Sequence, residues 1–330
     1  MSNEPKDLND ILAECRVTLD GQDTDPEFVL KYQDIGIFPR GDVVAIKGKA
    51  KAGKSHFLAL LTAAILKGEY GGFTAVSEGL KVVWMDTEQG IRNSRSLFRK
   101  VIQMANVEAE TTRFQMFNLR SLTPQDRLAS MTLLSGKYRP DVFIIDGIRD
   151  LMTDPNDQKE AFPVVGEMMR ISKVNNCVIL TVLHQNKKDD NMIGHAGSEL
   201  QKKAAEVYQV SKDADGLDAY FRVNQPDSRN TPAPDFCFRL QEDGIPFSTE
   251  IALQSKAMIQ QAKIIGNLDK IIEPGTGLAY SDLLAKYLTV ATCSESTAKR
   301  HINIAVSDGI LLKEPNGIYN RRIYVQSASF

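Results

Sequence analysis

Val43–Lys47 (VVAIK) followed by Gly48-Lys49-Ala50-Lys51-Ala52-Gly53-Lys54-Ser55 is the stretch that decides the fold. A short apolar run, a glycine, a basic loop and then a helical pattern from Ser55 to Lys67 match GxxxxGK[ST]. The order is strand, loop, helix. Gly48 lets the chain leave the strand, and Gly53 lets the backbone come close to an anion. The loop's backbone N–H groups and the positive end of the helix then form a cradle for phosphate. In that setting Lys54 reaches the β- and γ-phosphates and the Ser55 hydroxyl ligates Mg²⁺. Gly48, Lys49, Ala50, Lys51, Ala52, Gly53, Lys54 and Ser55 are the expected binding residues for Mg-ATP.

Working outward, three more apolar runs read as strands: Lys81–Asp86 (KVVWMD), Asp141–Asp146 (DVFIID) and Cys177–Leu183 (CVILTVL). Ser94–Asn106, Pro124–Gly136 and Phe162–Asn175 carry helical spacing between them. Near-continuous apolar strands alternating with helices predict an α/β fold with a parallel sheet covered on both faces. Each strand ends in polar side chains, where a ligand crevice opens. Asp146, on a strand expected beside the loop, suits the Mg²⁺ water shell. Glu88, just past the second strand, suits a base that orients and deprotonates water; the alternative is helix capping in that turn, where Asp86 or Thr87 serves equally. His184 or Gln185 ends the fourth strand, placed to hydrogen-bond a γ-phosphate. His56 and His195 have no metal-like spacing and read as loop or helix-surface residues.

Four anchors in this order, GKAKAGKS, VVWMDTEQ, DVFIIDGIRDL and CVILTVLHQNK, resemble the RecA-like ATPase core. With the helix VVGEMMRISKVNN between the last two, the chain is similar to the RepA-type hexameric helicases of plasmids and mobile elements. The resemblance covers roughly residues 35–245. It implies a catalytic glutamate at Glu88 and a phosphate sensor at His184 or Gln185. It also implies a homo-oligomeric ring whose site is completed by a neighbour's basic finger. Arg229 and Arg222 are the candidates, and Arg229 is preferred because a loop reaches across an interface more easily than a strand. The family's central DNA-contacting loops would be Arg149–Ala161 and Lys187–Ser198, and here both mix charge signs.

Asp218–Gln225 and Asp235–Gln241 read as a hairpin, and a polar helix near Ser255–Gln261 as a linker. Beyond it, Leu278–Val290 and Ser294–Ile310 read as two helices. A two-stranded wing follows, with Asn316-Gly317 at its tip. That pattern predicts a winged helix-turn-helix with Lys299, Arg300, Arg321 and Arg322 as nucleic-acid contacts and His301 on the same early turns. Such modules also dock proteins. Between Ile264 and Phe330 seven Lys/Arg face six Asp/Glu, so DNA contact would depend on local clustering. The expected division is an acidic arm over 1–34, an ATPase domain over 35–262 and a winged helix over 263–330.

The 330 residues carry a formal net charge of -2, which argues against a chain that coats nucleic acid by bulk charge. No run approaches a membrane span, the N-terminus lacks a signal pattern, and Cys15, Cys177, Cys237 and Cys293 form no CxxC pair. A reducing, cytoplasmic setting without membrane or structural zinc is expected. The leading expectation is an oligomeric ATPase acting on DNA, a replicative-type helicase of a plasmid or mobile element. The alternative is a non-translocating, ATP-switched DNA-binding protein, and the third possibility is a scaffold with a vestigial loop.

Overall fold

The computed structural model describes residues 7–16, 26–185, 192, 194–215, 218–249 and 256–322. The chain divides into two compact units, residues 1–251 and 252–330. The first runs α1 (Leu8–Cys15), β1 (Phe28–Tyr32), β2 (Ile35–Pro39), β3 (Val43–Gly48), α2 (Lys54–Lys67), β4 (Glu69–Tyr70), β5 (Phe73–Ala75), β6 (Val82–Asp86) and α3 (Ile91–Ala105). It continues through β7 (Phe114–Asn118), α4 (Pro124–Tyr138), β8 (Val142–Asp146), a 3-10 turn (Ile148–Leu151), α5 (Gln158–Asn175), β9 (Val178–His184), α6 (Gly194–Lys203), β10 (Glu206–Asp215), β11 (Asp218–Ser228), β12 (Phe236–Leu240) and β13 (Pro246–Ser248).

The main sheet has nine strands in the order β13-β12-β11-β10-β3-β9-β8-β6-β7, parallel from β10 to β7 and antiparallel beyond. This large, mostly parallel sheet fits the RecA-like core expected from the sequence. One detail differs. β9 lies between β3 and β8, so Asp146 is not on the strand next to the phosphate loop. β1, β2, β4 and β5 form a second small sheet, and β1 begins ahead of the start at residue 35 read from the sequence.

The pleat explains why the central strands are apolar on both sides. Val44, Ile46, Val82, Trp84, Ile144 and Leu180 join one buried cluster with α2 and α3. Their chain neighbours Val43, Ala45, Val83, Met85, Ile145 and Ile179 join the other with α4 and α5. Each such side chain, fully buried, contributes roughly 1.5–3 kcal/mol. α2 is buried along almost its whole length, which holds the loop at its N-terminus rigidly against the sheet.

The second unit contains α7 (Lys256–Asp269), β14 (Gly277–Ala279), α8 (Tyr280–Ala291), α9 (Glu295–Ser307), β15 (Leu311–Lys313) and β16 (Ile318–Arg321). Its sheet is antiparallel in the order β14-β16-β15. α7 is not a free linker, because Ile264 and Leu268 are fully buried with Leu283, Tyr287 and Ile302. The division between units therefore falls before α7, whereas the boundary at 262/263 would cut through it. Ser294 caps α9 by accepting from the Thr297 N–H at 3.4 Å.

Candidate nucleotide site

Two glycines shape the loop, for reasons more specific than the sequence suggested. A Cβ on Gly48 would run into the Val210 carbonyl of β10. Gly53 has φ of 91° and lies against the Phe221 ring, so an L side chain is excluded twice. The loop and the ends of β6, β8 and β9 surround a cleft of about 580 Å³ that includes Lys51–Ser55, Glu88, Gln89, Asp146 and His184.

Inside it, Lys54 is buried, and its ammonium donates to the carbonyls of Gly48 and Lys49, both at 3.0 Å. It also lies 3.2 Å from His184 Nδ1. Burial lowers the Lys54 pKa, opposed by Glu88 and Asp146. His184 Nε2 is 3.2 Å from both Glu88 oxygens. A neutral imidazole protonated at Nε2 satisfies both sides, accepting from Lys54 and donating to Glu88. The His184 contact, with Lys54 and Arg149 behind it, holds the Glu88 carboxyl below its ordinary pKa. Glu88 is therefore a carboxylate in the cleft and not a cap. The capping role belongs to Asp86, which accepts from the N–H groups of Glu88 and Gln89 at 3.1 and 2.9 Å and from the Ser94 hydroxyl at 2.6 Å.

The Ser55 hydroxyl donates to Asp146 Oδ2 at 3.0 Å, although β8 is one strand removed from β3. The Gln89 amide donates to the same hydroxyl at 3.3 Å. Burial, with Asp86 and Glu88 nearby, pushes the Asp146 carboxyl up to about 7. A buried carboxylate that resists ionisation, touching a hydroxyl and flanked by further carboxylates, is the donor set a hard cation would stabilise. Among the described residues no three His, Cys, Asp or Glu side chains could hold a metal by themselves. A cation that keeps most of its waters and shares phosphate oxygens fits that arrangement better than an all-protein cage. The donor set fits Mg-ATP.

Gln185 is buried, its N–H donates to the Gly48 carbonyl at 3.2 Å, and the residue bridges to Met192. Of the two strand-end candidates only His184 lines the cleft. His56 also lines it, contrary to the surface position read from the sequence, and burial with the nearby Lys100 lowers its pKa to about 4. Phe221, Lys100, Asn93 and Leu240 complete the walls. Spacing gave no signal for these four, because they come from α3 and two antiparallel strands.

Arg229 follows β11 at the end paired with Glu206 and thus with the N-terminal end of β3, the sheet edge opposite the cleft. Its guanidinium donates to the Lys202 and Lys203 carbonyls at 3.3 and 3.1 Å, capping α6. It does not reach the site of its own chain. Arg222 is paired with Asp213 at 3.3 Å and Asp235 at 3.8 Å. In the second unit Lys299, Arg300 and Arg322 are exposed. Arg321 and His301 correct the expectation of a displayed cluster. Arg321 is 4% exposed and ion-paired with Asp269 at 2.7 Å. His301 is buried against the Tyr287 hydroxyl at 3.2 Å. Lys187 lies outside the described residues.

No helix among the described residues is long and apolar enough to cross a membrane. No curated protein matches the chain. Among solved structures, a KaiC-like protein of the hyperthermophilic archaeon Pyrococcus horikoshii OT3 is similar at 13% identity and a TM-score of 0.48, over 65% of this chain and 92% of that one. The AAA domain family matches residues 10–190, more than half of the chain. The chain belongs to this AAA domain family, whose P-loop it carries at Gly48–Ser55.

Proposed function

We propose that the protein is an oligomeric Mg-ATP-dependent ATPase acting on DNA, of the kind that plasmids and mobile elements use as a replicative helicase. The observation that carries this is the continuous chain Lys54–His184–Glu88 beside the Ser55–Asp146 pair. Lys54 and the loop bind the polyphosphate, and Ser55 with Asp146 hold Mg²⁺, which neutralises charge on the phosphate oxygens. Glu88, kept ionised, accepts the proton of the attacking water, and His184 fixes the carboxylate's position. Arg229 of a neighbouring copy completes the site.

The DNA reading is supported by the second unit, whose helix order and wing-like β15–β16 pair suit a winged helix with Lys299, Arg300 and Arg322 outward. Lys54→Ala is expected to abolish ATP turnover; normal turnover in that variant refutes the assignment. A forked duplex tests the rest, with strand separation that requires ATP as the expected result.

A second reading, an ATP-switched DNA-binding protein, is favoured by the loop Arg149–Ala161. Its acids serve local structure, Glu160 accepting from the N–H groups of Thr153 and Asp154. Turnover with DNA binding but no strand separation would select it.

A further inference from the structure

α3 carries Arg92, Arg95, Arg99 and Lys100 and no acidic residue, in a protein whose overall charge is negative. Arg92 lies in the first turn, where the helix dipole disfavours a cation and no acid offsets it. Stability alone does not select that arrangement. Arg92, Arg95 and Arg99 are exposed at i, i+3 and i+7, so they form one stripe, and none makes an ion pair among the described residues. At the stripe's N-terminal end stand Ile91, 49% exposed, and Arg120, which reaches over Gly90. Leu122, 37% exposed, follows shortly after Arg120. The surface is thus basic with an apolar end, and the opposite side of α3 lines the nucleotide cleft through Asn93 and Lys100.

The chain contains one segment of complementary character. Residues 1–27 hold eight Asp/Glu against Lys6 and Arg16. Within them, the sequence spaces Asp7, Asp10 and Glu14 at i, i+3 and i+7 along α1, the same spacing as the three arginines. Leu8 and Leu12, one turn apart, are 65% and 57% exposed. α1 therefore has an apolar side with nothing on it, while Ile91 of the same chain is also uncovered. Neither surface satisfies the other within one copy.

We infer that α1 of one copy docks on α3 of a second copy, pairing its acidic stripe with Arg92, Arg95 and Arg99 and its leucines with Ile91 and Leu122. A nucleic-acid backbone would match the arginines but leave both apolar side chains exposed, so the acidic helix is the better complement. The contact would sit on the outer side of a helix that walls the ATP cleft, next to Glu88 and Gln89 in sequence. It depends neither on ATP turnover nor on DNA action, so failure of the proposed function leaves it standing.

Differently tagged full-length copies carrying Leu12→Cys or Ile91→Cys, both in a Cys15→Ser background, are mixed and oxidised. A disulfide-linked product bearing both tags is expected. Arg92→Glu, Arg95→Glu and Arg99→Glu together should raise the self-dissociation constant by sedimentation about tenfold or more and remove the mixed product. Combining them with Asp7→Lys, Asp10→Lys and Glu14→Lys should restore both, which separates lost pairing from misfolding. No mixed product, or one that the arginine reversals leave unchanged, overturns the inference. So does a cross-link formed only within one chain. Loss of binding to a short single-stranded DNA with the cross-link intact overturns it in favour of a nucleic-acid surface.

Discussion

Asp146→Asn should make the first unit more stable at alkaline pH and remove its response to Mg²⁺. The Asp146 carboxyl is fully buried, and burial with Asp86 and Glu88 raises its pKa from 3.8 to about 7. A carboxyl whose folded pKa is raised stabilises the fold when protonated. That contribution is complete below the unfolded pKa and is lost as pH rises through the folded one. Between pH 5.5 and 8.5 the linkage relation gives a loss of about 2 kcal/mol from this one group. Asn keeps the shape and an oxygen for the Ser55 hydroxyl but has no proton to lose. The stability of Asp146→Asn relative to wild type should therefore rise by about 2 kcal/mol across that range, or roughly 4–8 °C in the midpoint. The assay is thermal and urea unfolding in EDTA at the two pH values, then with millimolar Mg²⁺ at pH 8.5. Magnesium should raise the wild-type midpoint and leave the variant unmoved. A wild-type-minus-variant difference that stays constant with pH, or an equal Mg²⁺ response in both proteins, would refute the reasoning.

Glu88→Gln keeps the His184 contact but removes the proton acceptor, so kcat should fall about 10²–10⁴-fold with ATP affinity retained, measured by turnover and nucleotide titration. An equal loss of affinity would mean that Glu88 binds instead of catalyses. Gly53→Ala forces a left-handed φ on alanine and a methyl group into Phe221, and should weaken nucleotide binding about tenfold or more. Adding Phe221→Ala should recover only part of that loss. Arg321→Ala removes the Asp269 pair and the bond to the Ile310 carbonyl, and should destabilise the second unit by about 1–3 kcal/mol in denaturant unfolding. Burial lowers the pKa of His301, so its contribution is present above the unfolded histidine pKa and is lost as pH falls below it. His301→Gln should flatten the acid limb of the second unit's unfolding curve.

The parts of this molecule that were legible in sequence are those whose chemistry repeats locally. The four inner strands could be read because residues buried on both faces are apolar at every position, as Phe143-Ile144-Ile145 shows. α4 begins where Thr123 and Pro124 mark a start, and Thr123 does accept from the Asp126 N–H. Sheet order was not legible, because no local pattern reports that β9 inserts between β3 and β8. Asp146 still meets Ser55, since both residues lie at the ends of elements converging on one cleft. The burial of Arg321 was hidden for a similar reason. Two adjacent arginines on a strand point to opposite sides, and only the position of α7 with Asp269 decides which one turns inward.

The resting contacts also constrain how nucleotide would act on the proposed reading. The Lys54 ammonium has three protons and three acceptors here: the Gly48 carbonyl, the Lys49 carbonyl and His184 Nδ1. A phosphate oxygen can enter only by replacing at least one of them. The two carbonyls belong to the loop that must itself surround the phosphates, so the imidazole is the contact easiest to exchange. Once His184 Nδ1 loses the lysine, a phosphate oxygen can reach it only if the ring carries a proton there. The Glu88 carboxylate on Nε2 favours that doubly protonated form. One side chain thus connects occupancy of the phosphate site to the charge surrounding the base, and His184→Ala should uncouple them: ATP would still bind Lys54, but the pH dependence of kcat should change. An identical pH–rate profile in His184→Ala would mean that His184 is only a neighbour of Glu88.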